Sequence, residues 1–132
     1  MLQLEQMIFE GVMMTVKQLT EVAFFTDNVA GMSAFYTRLF GMAPVHQSDD
    51  MAIFMVGQTK WFIHRTYIPE EGDLPPENHH AFTVADVDAT CAELASQGLT
   101  VEVEPKDYYW GRSAYLRDPD GHSIELNQED GE

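Results

Sequence analysis

The chain has 132 residues and carries 22 acidic against 7 basic side chains, a formal net charge of −15. That length suits one ordinary domain, and that charge excludes nucleic acid and anionic membranes as partners. No apolar run approaches the roughly 18–20 residues of a membrane span, and Met1-Leu-Gln-Leu-Glu-Gln lacks the basic region of a signal peptide. The single cysteine, Cys91, excludes an internal disulfide and a zinc-finger type site. It falls in a helical pattern and is read as packing. Together these features predict a cytoplasmic protein.

Taken in order, residues 1–14 form an N-terminal extension, a short helix or an unstructured arm. A domain follows over residues 15–128. Its first unit, about 19–66, opens on a strand at Glu21-Val-Ala-Phe-Phe-Thr-Asp-Asn-Val29. Asn28 suits a helix N-cap and Gly41 a helix stop. Between them Met32, Phe35, Tyr36, Leu39 and Phe40 recur at the spacing of one buried helical face. Three short strands follow, at about 43–48, 51–56 and 60–66.

The second unit, about 78–128, repeats this plan. His79-His-Ala-Phe-Thr-Val-Ala-Asp-Val87 is the strand, with Asp86 at the turn and Gly98 at the helix stop. The helix would bury Val87, Cys91, Leu94 and Ala95. Strands follow at about 100–104, 112–117 and 122–127. The offset between units is 58 residues from Glu21 to His79 and 57 from Gly41 to Gly98. The pattern is βαβββ twice, an α+β fold in which a curved mixed sheet surrounds a cleft and the helices lie outside. Residues 129–132 form an acidic tail.

Strand alternation selects the residues that face the cleft. Glu21, Ala23 and Phe25 share one face, and Val22 and Phe24 the helix face. His79, Ala81 and Thr83 share a face opposite His80, which is set aside on parity. In the hairpin Gly111-Arg-Ser-Ala-Tyr-Leu-Arg-Asp-Pro-Asp-Gly-His-Ser-Ile-Glu-Leu126, the lone carboxylate Glu125 points away from Ile124 and Leu126. A carboxylate on an inner sheet face is costly unless paired. Its partner is a metal ion or, across the hairpin, Arg112 or Arg117. His46 and His122 fall at turns and carry no expected chemistry.

Three segments carry a family resemblance: Ala34-Phe-Tyr-Thr-Arg-Leu-Phe-Gly-Met42, Asn78-His-His-Ala-Phe82 and the closing hairpin. They resemble the vicinal oxygen chelate superfamily, which includes glyoxalase I, fosfomycin-resistance proteins, bleomycin-binding proteins and extradiol dioxygenases. The resemblance implies metal ligands at the first residue of each unit's opening strand, here Glu21 and His79. It implies a carboxylate in the last strand, here Glu125. A fourth ligand lies on the closing strand of unit one, where His64 is the ligand-type residue. Glu21 departs from the His or Gln usual at its position.

Two imidazoles and two carboxylates suit a divalent ion such as Ni, Co, Mn, Fe or Zn. By resemblance, Glu21 or Glu125 would also move a proton, and the ion would act as a Lewis acid on two oxygens of a small substrate. The implied activities are of lyase, isomerase or thiol-transferase type. Tyr115, Arg117 and Trp110 are the candidate substrate contacts, with Tyr108-Tyr109-Trp110 as an aromatic wall. Arg112, Arg117 and Lys106 are the cations expected near the cleft. The other class of function is a metal-free, bleomycin-resistance-type binding protein, in which Glu21 and Glu125 pair with a cationic ligand. The resemblance further implies a homodimer.

Overall fold

The computed structural model describes residues 16–129. The 1–14 extension lies outside the described residues, as does the acidic tail beyond Glu129. The element order is β1 (Val16–Thr26), α1 (Val29–Phe40), β2 (His46–Gln47), β3 (Met51–Val56), β4 (Thr59–Arg65), β5 (His79–Val84), α2 (Val87–Ser96), β6 (Val101–Tyr108), β7 (Gly111–Arg117) and β8 (Ser123–Gln128). This is the α+β fold of two βαβββ units that the repeat predicts. β1 begins earlier than expected, so Glu21 sits in its interior rather than at its first residue.

The helix boundaries follow local chemistry. The Asn28 side chain accepts from the Gly31 N–H at 2.9 Å, and Asp86 accepts from the Ala89 N–H at 3.0 Å. Gly31 leaves room for that cap, because a Cβ there would meet Asn28 Nδ2 at 2.3 Å. α1 ends where Gly41 adopts φ 69° and its N–H donates to the Thr37 carbonyl, a left-handed stop that favours glycine.

All eight strands form one sheet in the order β2-β3-β4-β1-β5-β8-β7-β6. The opening strands of the two units pair antiparallel at its centre. Each opening strand is flanked by the last strand of its own unit in parallel, β4 beside β1 and β8 beside β5. The order therefore reads the same inward from either edge, as a pseudo-twofold between the units demands.

Each helix packs on its own half of the sheet. Under α1, Val29, Ala52, Phe54 and Ile63 are buried, with Phe24, Met32, Tyr36, Phe40 and Trp61 packed against them. The rings of Phe24, Tyr36, Phe40 and Trp61 lie stacked, tilted or edge to face at centroid separations of 5.1–6.1 Å, within the favourable range for aromatic pairs. Under α2 the buried set is Val84, Val87, Cys91, Ala114, Leu116 and Leu126. Cys91 is thus a packing residue, and burial pushes its thiol pKa up.

Two helical expectations fail. Phe35 and Leu39 are 59% and 63% exposed, and Ala95 of α2 is exposed while Thr90 is buried. On α1 the sheet covers the stripe through Val29, Met32, Ser33, Tyr36 and Phe40. Phe35 and Leu39 are rotated past its edge, because a helix advances about 100° per residue. A Phe54→Ala variant is expected to lower the unfolding free energy by about 3–5 kcal/mol. Leu39→Ala should change it by less than about 0.5 kcal/mol. Urea denaturation of the two variants measures both.

Candidate metal centre

The central strand pairing assembles the site. In the antiparallel β1–β5 register Glu21 lies across from Ala81 and Ala23 across from His79. Glu21 and His79 are therefore diagonal neighbours on one face. In the parallel β5–β8 register Ala81 lies beside Glu125. Glu21, Ala81 and Glu125 form a row across three strands, and the fully buried methyl of Ala81 leaves the space above it to the two carboxylates and the imidazole.

Glu21, His79 and Glu125 each bring a ligand atom within 4.8 Å of the others. His79 Nε2 is 3.3 Å from Glu125 Oε1 and 3.6 Å from Glu21 Oε1. On the far side of the ring, Nδ1 is 3.0 Å from the Glu77 carbonyl. A carbonyl only accepts, so Nδ1 carries the proton there. Glu125 is 4% exposed, and its Oε2 accepts from the Ser113 hydroxyl at 2.9 Å. Ser113 Oγ in turn accepts from Trp110 Nε1 at 3.1 Å. The group lies in a cleft of about 960 Å³ that it shares with Lys60, Phe62, His64, Tyr109, Trp110 and Tyr115.

This curved mixed sheet, with its repeated units and inward carboxylates, agrees with the comparisons with known proteins. The profile of the Glyoxalase/Bleomycin resistance protein/Dioxygenase superfamily matches residues 18–126. The chain belongs to this superfamily. It is 33% identical over 106 residues to the anthracycline biosynthesis protein DauV of Streptomyces sp. (strain C5), an alignment covering 76% of this chain but only 37% of DauV. It is 28% identical to the uncharacterized protein YaeR of Escherichia coli (strain K12), covering 89% of this chain and 100% of YaeR. Among solved structures, methylmalonyl-CoA epimerase from Mycobacterium tuberculosis superposes with a TM-score of 0.66 at 20% identity, over 92% of this chain and 95% of that one. The hypothetical protein BH1468 from Bacillus halodurans C-125 gives 0.68 at 16% identity, over 87% and 96%. At such identities these two likenesses speak for the superfamily fold alone.

Within this superfamily fold the structure does not bring His64 into the three-residue group. The pseudo-twofold carries Glu21 onto His79 and, through the pairs Ala81–Glu125 and Ala23–Phe62, carries Glu125 onto Phe62. The place on β4 that matches Glu125 is therefore held by a phenyl ring. His64 pairs with Phe25, two residues further along, or roughly 6–7 Å at the rise of a strand. It lies among the rings of Phe25, Phe62 and Tyr67, and its Nδ1 is 2.7 Å from the Arg65 carbonyl.

The expected cations are also redistributed. Arg117 binds Glu77 and Glu102, and Arg112 binds Asp88 and Asp107, so neither pairs with Glu125. Lys106 lies over the Tyr108 ring. The cation at the carboxylates is Lys60, whose Nζ is 3.3 Å from Glu21 Oε2. Parity could have found it, since Lys60, Phe62 and His64 alternate on one face of β4. Ser113 was legible in the same way, opposite Ala114 and in step with Tyr115. Tyr115 is buried, with its ring 6.4 Å from that of His79. Trp110 stacks on Tyr108 at 4.5 Å and 3°. His80 faces away and is exposed, and His122 pairs with Asp118 at the turn.

The residues fit a divalent ion. With Nδ1 protonated, the Nε2 lone pair points to the space that both carboxylates face, and Ser113 leaves Glu125 Oε1 free on that side, an outer-sphere support of the kind that orients metal ligands. Without an ion the same space suits a proton. Burial opposes charge on His79, but the carboxylates of Glu125 and Glu21 outweigh it and push the imidazole pKa up to about 10. Burial would raise Glu21, yet His79 and the Lys60 ammonium outweigh it and hold its carboxyl below the ordinary value. Burial and the Glu125 charge push the Tyr115 phenol up, so it is a neutral donor at physiological pH.

A His79 pKa raised on folding contributes stability that is fully present below the unfolded value near 6.5 and is lost as pH rises through about 10. In chelator-treated protein the urea midpoint should therefore fall between pH 7 and 10 by more than it falls in His79→Gln. Equal slopes in the two proteins would show that His79 is neutral in the metal-free cup.

Proposed function

We propose that this chain is a metal-dependent enzyme of the lyase, isomerase or thiol-transferase kind. It acts on a small oxygen-rich substrate in the cleft. The observation that carries this reading is the convergence of Glu21, His79 and Glu125 on one point of the cleft, with the His79 proton held on the opposite nitrogen by Glu77. One nitrogen and two carboxylate donors suit Mn, Fe, Co, Ni or Zn. When bound, the ion supplies Lewis acidity toward two adjacent substrate oxygens.

The protein's own groups divide the remaining work. Glu125 is tied to Ser113 and buried, so it is the fixed ligand. Glu21 is reached by Lys60 and by the open cleft, which makes it the better carrier of a substrate proton. Tyr115 offers a neutral hydroxyl close to the carboxylates. Trp110, stacked on Tyr108, walls one side of the cleft together with Tyr109. Homodimerisation belongs to the same proposal, and sedimentation velocity reads it directly.

The competing reading, a metal-free binding protein, draws on that same aromatic stack, whose flat exposed face suits a planar ligand. The 33% identity to part of DauV, an anthracycline biosynthesis protein, is compatible with that reading. Elemental mass spectrometry of the dialysed protein separates the two readings. The enzyme reading expects close to one equivalent of a transition metal per chain, lost in the His79→Ala, Glu125→Ala double variant. Metal retained by the double variant would sink the ligand assignment, and wild-type protein that takes up none would favour the binding reading. Ser113→Ala should weaken metal affinity by roughly 10–100-fold, as measured by competition with a chromophoric chelator.

A further inference from the structure

Lys60 is opposite Glu21 in the β1–β4 register, at the cleft side of the cup. Its Nζ touches Glu21 Oε2 and lies 5.5 Å from the centroid of the Phe62 ring. The side chain is 42% exposed, and it lines the cleft. An ammonium has three donors. One is spent on Glu21, and Lys60 makes no other hydrogen bond or ion pair among the described residues. By contrast Arg65, Arg112 and Arg117 are each tied to carboxylates outside the cup.

An ammonium at this place works against a metal site. It repels a divalent ion and draws on the charge of one of the ion's ligands. The two carboxylates by themselves neutralise a divalent ion when His79 is neutral. Lys60 then leaves the cup with one surplus positive charge, on a side of the cleft where Phe25 and Phe62 offer it no counter-charge. A substrate bearing one negative charge restores the balance, and the spare ammonium donors give its oxygen a charge-assisted partner.

We infer that Lys60 is a specificity-determining residue that holds an anionic substrate oxygen beside the Glu21–His79–Glu125 cup. The substrates of this site are accordingly small carboxylates with a second oxygen on the adjacent carbon, rather than neutral diols or ketones. This inference rests on the metal-binding reading proposed above.

The test uses Co²⁺ as the metal and two probes of the same shape, glycolate and its neutral amide, glycolamide. Co²⁺ uptake is read by titration calorimetry, and probe binding by the change in the Co²⁺ absorption bands. Wild-type protein is expected to take up Co²⁺ and to bind glycolate roughly tenfold more tightly than glycolamide. Lys60→Met should bind Co²⁺ at least as tightly as wild type, lose roughly tenfold in glycolate affinity and keep its glycolamide affinity. Lys60→Arg should recover part of the preference.

Co²⁺ uptake without a glycolate preference in the wild-type protein would overturn the inference and leave the metal reading standing. The same preference persisting in Lys60→Met would do likewise. A wild-type protein that takes up no Co²⁺ would overturn the metal reading and this inference with it. The wild-type comparison of the two probes needs no variant, so a poorly folding Lys60→Met would not remove the test.

Discussion

Everything at the cleft depends on one pairing, the antiparallel contact between β1 and β5. These strands open the two βαβββ units and meet at the centre of the sheet. Their register places Glu21 and His79 two residues apart on one face. Each unit then brings its last strand alongside its first in parallel, which adds Glu125 from one side and Lys60 and Phe62 from the other. A one-residue slip would turn Glu21 and its neighbours into the helix layer. The buried Phe54, Ile63, Ala114 and Leu126 on that layer oppose such a slip.

How legible was this in the sequence? Face parity is a local property, and it placed Glu21, His79 and Glu125 on the cleft side and His80 away from it. The repeat at an offset of 58 residues supplied the two-unit fold. Register between distant strands is not local. Nothing within Trp61-Phe-Ile-His64 says which of its residues lies level with Ala23, so the sequence points to the ligand-type residue, His64, although Phe62 holds that level. The same limit misplaced the cations. Arg112 and Arg117 are close to Glu125 along the chain, yet Asp88, Asp107, Glu77 and Glu102 reach them first. Lys60 is far from Glu21 in sequence and adjacent in space. The α1 pattern failed for a related reason. Five apolar residues at helical spacing mark a face, but the width of sheet that covers the face is a tertiary quantity.

The two units have kept the same backbone and divided the chemistry between them. Unit two supplies His79 and Glu125, together with the groups that hold them: Glu77 behind the imidazole and Ser113 behind the carboxylate. Unit one supplies Glu21 with the half-exposed Lys60 ammonium beside it and a phenyl ring where a fourth donor would stand. One half of the cup is thus rigid and internally satisfied. The other half is open to the cleft and to exchange of partners. A substrate would meet the unit-one side first, where Glu21 has a counter-ion that can be redirected.

The charge balance explains why such a cup is tolerable at all. Two carboxylates with oxygens within 4.8 Å of each other repel each other strongly when removed from water, and burying either alone is costly. The fold answers with two positive groups, the Lys60 ammonium and the protonated His79. A divalent ion held by Glu21, His79 and Glu125 would need the His79 lone pair and so would take the place of its proton. Two charges would then stand where the proton brought one, and with Lys60 beside it the cup would be one unit more positive. In a chain of net charge −15, that would be a local reversal of sign, favouring an anion that the rest of the surface repels.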